Sequence, residues 1–237
     1  MGAFELIEKK RYDEFCSLYF QKSHLRKEQA ECADLMPGNY VMALIGARQY
    51  KSLISFCLET IAEIRKSSIK IDRSSSNFFI ALSIGYFQLK KYSEALQALR
   101  DGSRAAYQDR PRTQTPAILY CEAAMLNDKQ AKQESKKLLN TRLRNKNLSS
   151  PEFAAAGFLV GKCSEEEMLA QINTYPPFLL ERAKVQALFY MAIKAFEAND
   201  FDRYAEHLKN ACDLYKSAPI VTLEFEYHLA EIYFSKI

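Results

Sequence analysis

The thirty residues from Phe78 to Tyr107, FFIALSIGYFQLKKYSEALQALRDGSRAAY, constrain the fold more than any other stretch of this chain. In the first half Leu82, Tyr86 and Leu89 recur at helical spacing, with the small Ser83 and Gly85 between them. A polar break, Lys90-Lys91-Tyr92-Ser93-Glu94, follows. Ala95, Leu99 and Gly102 then mark one face of a second helix. Small side chains at Ser83, Ala95 and Gly102 would let the two helices approach closely, with Tyr86 and Leu99 filling the gap. The pattern predicts one helix–turn–helix unit.

Weaker copies recur along the chain. Phe4, Leu6 and Ile7 precede a hinge at Lys9-Lys10-Arg11-Tyr12, with Phe15, Cys16, Leu18 and Tyr19 after it. Met36-Pro37-Gly38-Asn39 is a turn, and Val41, Leu44 and Ile45 lead to a break at Gly46–Tyr50 before Leu53, Ile54, Cys57 and Ile61. Later breaks fall at Asn127-Asp128, at Gly161-Lys162 and at Asn199-Asp200-Phe201. Ser164 and Glu167 have the spacing of a capping box, and Tyr175-Pro176-Pro177 stops the helix they open. Gln21–Asp34 is highly charged, and the serine-rich Ser67–Asn77 reads as a loop between units. The hinge aromatics Tyr12, Tyr50 and Tyr92 are 38 (50 − 12) and 42 (92 − 50) residues apart. Phe201 lies a further 109 (201 − 92), room for three intervals of about 36.

This unit and its copies resemble the tetratricopeptide repeat (TPR), which runs about 34 residues when undecorated. Residues 78–107 and 180–217 carry the likeness best; other units lack the small-residue positions, and none has the usual closing proline. The resemblance implies an all-α fold, a right-handed α-solenoid of stacked repeats over 1–237 as a single domain, closed by a capping helix at about 223–234. Phe158–Leu169, Ala187–Ala192 and Asn199–Phe201 look like the carboxy-terminal TPR segment of bacterial adaptor proteins. Some of those are lipoproteins serving cell-wall hydrolases and proteases. That role is not carried over, because the start of this chain shows neither a signal peptide nor a lipobox cysteine.

Composition agrees with long helices. Of 237 residues, 48% are hydrophobic, and only seven are Gly and seven Pro. No apolar run reaches the roughly 20 residues of a membrane span, so no membrane association is expected. Met1-Gly2 resembles a myristoylation start, but Glu5 and Leu6 follow where a small hydroxyl residue is wanted. The six cysteines, Cys16, Cys32, Cys57, Cys121, Cys163 and Cys212, form no C-x-x-C pair and sit largely on apolar helix positions. Reduced thiols in a cytoplasmic protein are the expectation.

Motifs of catalysis are missing: no P-loop, G-x-G-x-x-G, G-x-S-x-G or H-E-x-x-H occurs. His24 and His207 read as solvated side chains. Glu224, Glu226 and His228 come nearest to a metal-ligand group, but only Glu224 and His228 are one helical turn apart. No enzyme activity, cofactor or metal is expected. Two features bear on binding. Arg100, Arg104, Arg110, Arg112, Lys129, Lys132, Lys136, Lys137, Arg142, Arg144 and Lys146 could form a basic surface for an acidic protein, or simply solvate outer helix faces. Aromatics are not interleaved with them, which makes nucleic acid the weaker partner. Tyr40, Tyr86, Tyr120 and Tyr190, on the first helix of their units, could face a concave groove or pack in the core. The expected function is a non-catalytic protein-interaction module, a bacterial adaptor or scaffold binding on its curved surface. An immunity protein that neutralises a toxin domain is the alternative, ahead of a secretion chaperone or a nucleic-acid-binding repeat.

Overall fold

Among the described residues, six helical hairpins are closed by one recurring backbone turn. The structure is a computed structural model and describes residues 3–23, 37–67, 75–105, 112–144 and 151–237. The hairpins are α1 (Ala3–Glu8) with α2 (Tyr12–Ser23), α3 (Pro37–Gly46) with α4 (Tyr50–Ser67), and α5 (Ser76–Gln88) with α6 (Tyr92–Gly102). Then come α7 (Gln114–Met125) with α8 (Lys129–Arg142), α9 (Pro151–Leu159) with α10 (Glu165–Ile172), and α11 (Pro177–Glu197) with α12 (Phe201–Asp213). Two 3-10 turns, Leu214–Lys216 and Pro219–Leu223, lead into α13 (Phe225–Phe234). No strand occurs among the described residues, so the chain is all-α.

Within each hairpin the first helix ends on a left-handed residue: Lys10, Arg48, Lys90, Asn127, Gly161 and Asn199, with φ of 56°, 58°, 61°, 54°, 78° and 59°. The next amide reaches back five residues, as Arg11 N to Leu6 O at 2.8 Å, Lys91 N to Tyr86 O at 2.9 Å and Asp200 N to Ala195 O at 2.9 Å. This is the Schellman closure, which satisfies carbonyls the helix end would otherwise orphan. Its positions recur every 34 (161 − 127) to 42 (90 − 48) residues. Each expected break coincides with one of these turns. Asn-Asp serves twice over: the Asn takes the left-handed conformation, and Asp128 and Asp200 cap the next helix by accepting from Ala131 N at 2.9 Å and Arg203 N at 3.1 Å. The capping box at Ser164 is present, with Glu167 N donating to Ser164 Oγ at 3.1 Å and Ser164 N to Glu167 Oε2 at 2.7 Å. Two hinge aromatics lie against the helix just ended, Tyr92 on Phe87 at 5.2 Å and Phe201 on Phe196 at 6.0 Å.

Close approach of helices depends on glycine where expected at Gly102, whose added Cβ would stand 2.7 Å from Phe79 Cβ of the same hairpin, and also at Gly46, where it would enter the Tyr12 ring of the preceding hairpin at 2.4 Å. Ser83 does more than keep helices close: its hydroxyl donates to Glu122 Oε2 at 2.6 Å.

Helix α13 packs on α11 and α12 and also on α3 and α5, while the Pro219–Leu223 turn meets α1 and α3. Helix α11 packs on α7 and α9. Lys10 Nζ pairs with Glu231 Oε1 at 2.6 Å, the Tyr215 hydroxyl donates to Glu8 O at 2.7 Å, and the Phe87 and Tyr233 rings lie 6.1 Å apart. The carboxy-terminal helices therefore reach back to the first hairpins and cover the side on which α3, α5, α7 and α9 meet them. Tyr107 and residues 24–34, 68–74, 110 and 146, on which several of the sequence expectations fall, lie outside the described residues.

Candidate functional site

Of the two places open to Tyr120 and Tyr190, a groove or the core, both take the core and are fully buried. The physical reason is the covering by α11 and α13. Tyr120 donates to Glu197 Oε2 at 2.7 Å, and Lys132 and Lys194 reach the same carboxylate at 2.7 and 2.9 Å. Burial opposes the charge on Glu197, but the bonds from Lys132, Tyr120 and Lys194 outweigh it and hold the carboxyl below its usual range. Tyr190 donates to Glu226 Oε1 at 2.8 Å, beside Gln186 Nε2 at 2.9 Å, and Gln114 Nε2 reaches Oε2 at 2.9 Å. Three donors from two other helices thus occupy the buried Glu226. Glu224 pairs with Arg182, and burial, then Glu226, pushes its carboxyl up against the pull of that arginine. The buried His228 donates from Nε2 to Thr222 O at 2.8 Å, and burial lowers its pKa. The trio Glu224, Glu226 and His228 is spread over three separate sets of partners. Among the described residues no three His, Cys, Asp or Glu gather as metal ligands. His207, expected in solvent, is buried, with neither ring nitrogen hydrogen-bonded among the described residues and its pKa lowered by burial. Burial pushes the thiols of Cys16, Cys57 and Cys212 up to about 12, which keeps them protonated and unreactive.

The basic residues divide. Arg142 donates to Ser103 O at 2.9 Å and to Arg112 O, so it ties the end of α8 to the α6–α7 connection. Lys132 is held by Glu197, Arg100 pairs with Glu134 at 2.8 Å, and the Lys136 ammonium stands 5.7 Å from the Tyr120 ring centre. Arg104, Lys129, Lys137 and Arg144 are exposed. Arg104 and Arg144 flank the junction that Arg142 closes. Tyr86 is half-buried against the core.

Tyr40 lines an open concavity. Between α2 and α4, at the start of α3, lies a groove of about 920 Å³ lined by Asp13, Cys16, Ser17, Tyr19, Tyr40, Gln49, Ser52, Ser55, Phe56 and Glu59. Its floor is aromatic. The Tyr19 and Tyr40 rings stack 3.9 Å apart with an interplanar angle of 4°, and Phe56 meets Tyr40 edge-on at 4.8 Å and Tyr19 at 6.0 Å. The rim is polar: Gln49 Nε2 donates to Asp13 Oδ1 at 2.9 Å and Ser55 Oγ to Glu59 Oε1 at 2.7 Å. No family model, no curated protein and no solved structure matches the chain. Phe56 was legible as a signal, because it falls one position off the buried stripe Leu53, Cys57 and Ile61 of α4.

Proposed function

We propose that this chain is a non-catalytic protein-interaction module of the TPR-like helical-repeat class, which takes its partner in the α2–α4 groove. The observation that carries the reading is the half-exposed pair Tyr40 and Phe56 on the floor of a 920 Å³ concavity. Rigid aromatic rings give contact area at low entropic cost, the property that makes them interface anchors. The recurring Schellman hairpins support the repeat class. The inner side, the usual binding face of a stacked array, is here packed with the chain's own α11 and α13.

Capture of partners from the native host, compared between the unaltered chain and Ser52→Arg, tests this. Ser52 is exposed on the groove wall, so an arginine there fills the groove and leaves the core intact. Loss of a specific partner with Ser52→Arg, and its retention in an Arg104→Glu/Lys137→Glu/Arg144→Glu variant, is expected. Partners that survive Ser52→Arg and are lost with the triple reversal would move the interface to the exposed basic junction. Circular dichroism on both variants separates lost binding from lost folding.

A further inference from the structure

We propose that the groove recognises a basic peptide segment, with an arginine side chain seated on the Tyr40–Phe56 floor. This rests on the reading of the groove as a partner site and adds the chemistry of what enters it. The chain as a whole carries a net charge of +4, yet among the described residues the groove lining carries Asp13 and Glu59 and no Lys, Arg or His. Both acids are exposed, so their charge is available at the rim at little desolvation cost. Asp13 comes from α2 and Glu59 from α4, so the walls present negative charge from both sides. The remaining polar lining, Ser17, Gln49, Ser52 and Ser55, is uncharged and offers carbonyl and hydroxyl acceptors. An aromatic floor under an acidic rim complements a cation with a planar face. A guanidinium stacks on tyrosine or phenylalanine while its edge donates to carboxylates, and an ammonium lacks that planar edge. An acidic segment would meet like charge on both walls. The volume, near the top of the usual range for ligand sites, suits several residues of an extended segment rather than one small cation.

The probes are three acetylated, amidated hexapeptides that alternate Gly with Arg, Lys or Glu. They are titrated into the full chain labelled with nitrogen-15. Saturable shifts of the amides around Asp13, Ser17, Ser52, Ser55 and Glu59 are expected with the Arg peptide, weaker binding with Lys and none with Glu. Asp13→Asn/Glu59→Gln, which keeps the shape of the groove, should weaken the Arg peptide about tenfold, and the affinity should fall as salt is raised. Equal or tighter binding of the Glu peptide, or shifts that never saturate at these residues, would overturn the proposal. The native capture separates the two readings. A partner lost with Ser52→Arg but indifferent to Asp13→Asn/Glu59→Gln leaves the groove as an interface and removes the arginine chemistry. Peptide binding in the groove alongside a native partner indifferent to Ser52→Arg removes the functional reading instead.

Discussion

Glu122 sits at the centre of the molecule with no exposed surface, one oxygen bonded to Ser83 and the other, Oε1, without a hydrogen bond among the described residues. Burial pushes its pKa from 4.5 up to about 8, partly opposed by the Ser83 hydroxyl. The folded state therefore holds a proton that the unfolded chain has released between these two values. Stability from this group is fully present below about pH 4.5 and is lost as pH rises through about 8. In Glu122→Gln that loss should vanish. Urea unfolding between about pH 5.5 and 7 should show the unaltered protein declining more steeply than the variant by about 1.4 kcal/mol per pH unit. Glu224, raised in the same direction, remains in both proteins and drops out of the comparison. Equal slopes would mean that Glu122 is ionised in the fold. A carboxyl of this kind was not legible as special in the sequence, where Glu122 is one acid in an apolar helix. Groove and core both stayed open for Tyr120 and Tyr190 for the same reason: spacing places a side chain on a helix face, but only tertiary packing decides what covers that face.

The turns were the most legible elements. Lys90, Asn127 and Asn199 follow the last apolar residue of their helices, and an N-cap or hinge residue comes next, so the breaks could be placed before any packing was known. What they cost was less visible. A lysine in the left-handed region is strained by about 1–2 kcal/mol, while glycine there gives back roughly 0.5–1 kcal/mol through its freer unfolded chain. Lys90→Gly should therefore stabilise the protein by about 0.5–1 kcal/mol in urea unfolding. Removing its charge also relieves Lys236, whose pKa is lowered by burial and then by Arg48 and Lys90. Lys10→Gly, at the equivalent turn, should not gain. Lys10 pairs with Glu231 and stands 4.1 Å from the Tyr215 ring centre, and the substitution removes both contacts. If both substitutions stabilised equally, the Lys10 contacts would contribute nothing. The apolar run of α7 also carried information that spacing arguments passed over. Every residue from Thr115 to Ala124 is buried, and a helix apolar all round must be covered on all sides.

That covering decides how the whole molecule holds together. In an open array each repeat touches only its neighbours, so distant units unfold with separate free energies. Here Tyr233 of α13 lies between Phe87 at the end of α5 and Phe189 in the middle of α11, with ring centres at 6.1 and 5.9 Å. The hairpin of α5 and that of α11 are thus joined through a buried ring although 102 (189 − 87) residues separate the two phenylalanines. Native-state hydrogen exchange in low urea should show amides of α5 and α11 opening with the same free energy, as one cooperative unit. Tyr233→Ala removes the shared ring and leaves a cavity, a change that costs about 3–5 kcal/mol for large aromatic side chains. The loss should appear in both helices at once. Tyr233→Phe keeps the ring and deletes a hydroxyl that has no hydrogen bond among the described residues, so it should leave both protection levels unchanged or slightly raised. Protection that falls in α11 while α5 keeps its original value would show that the hairpins behave as an open stack and that the contact through α13 carries no coupling.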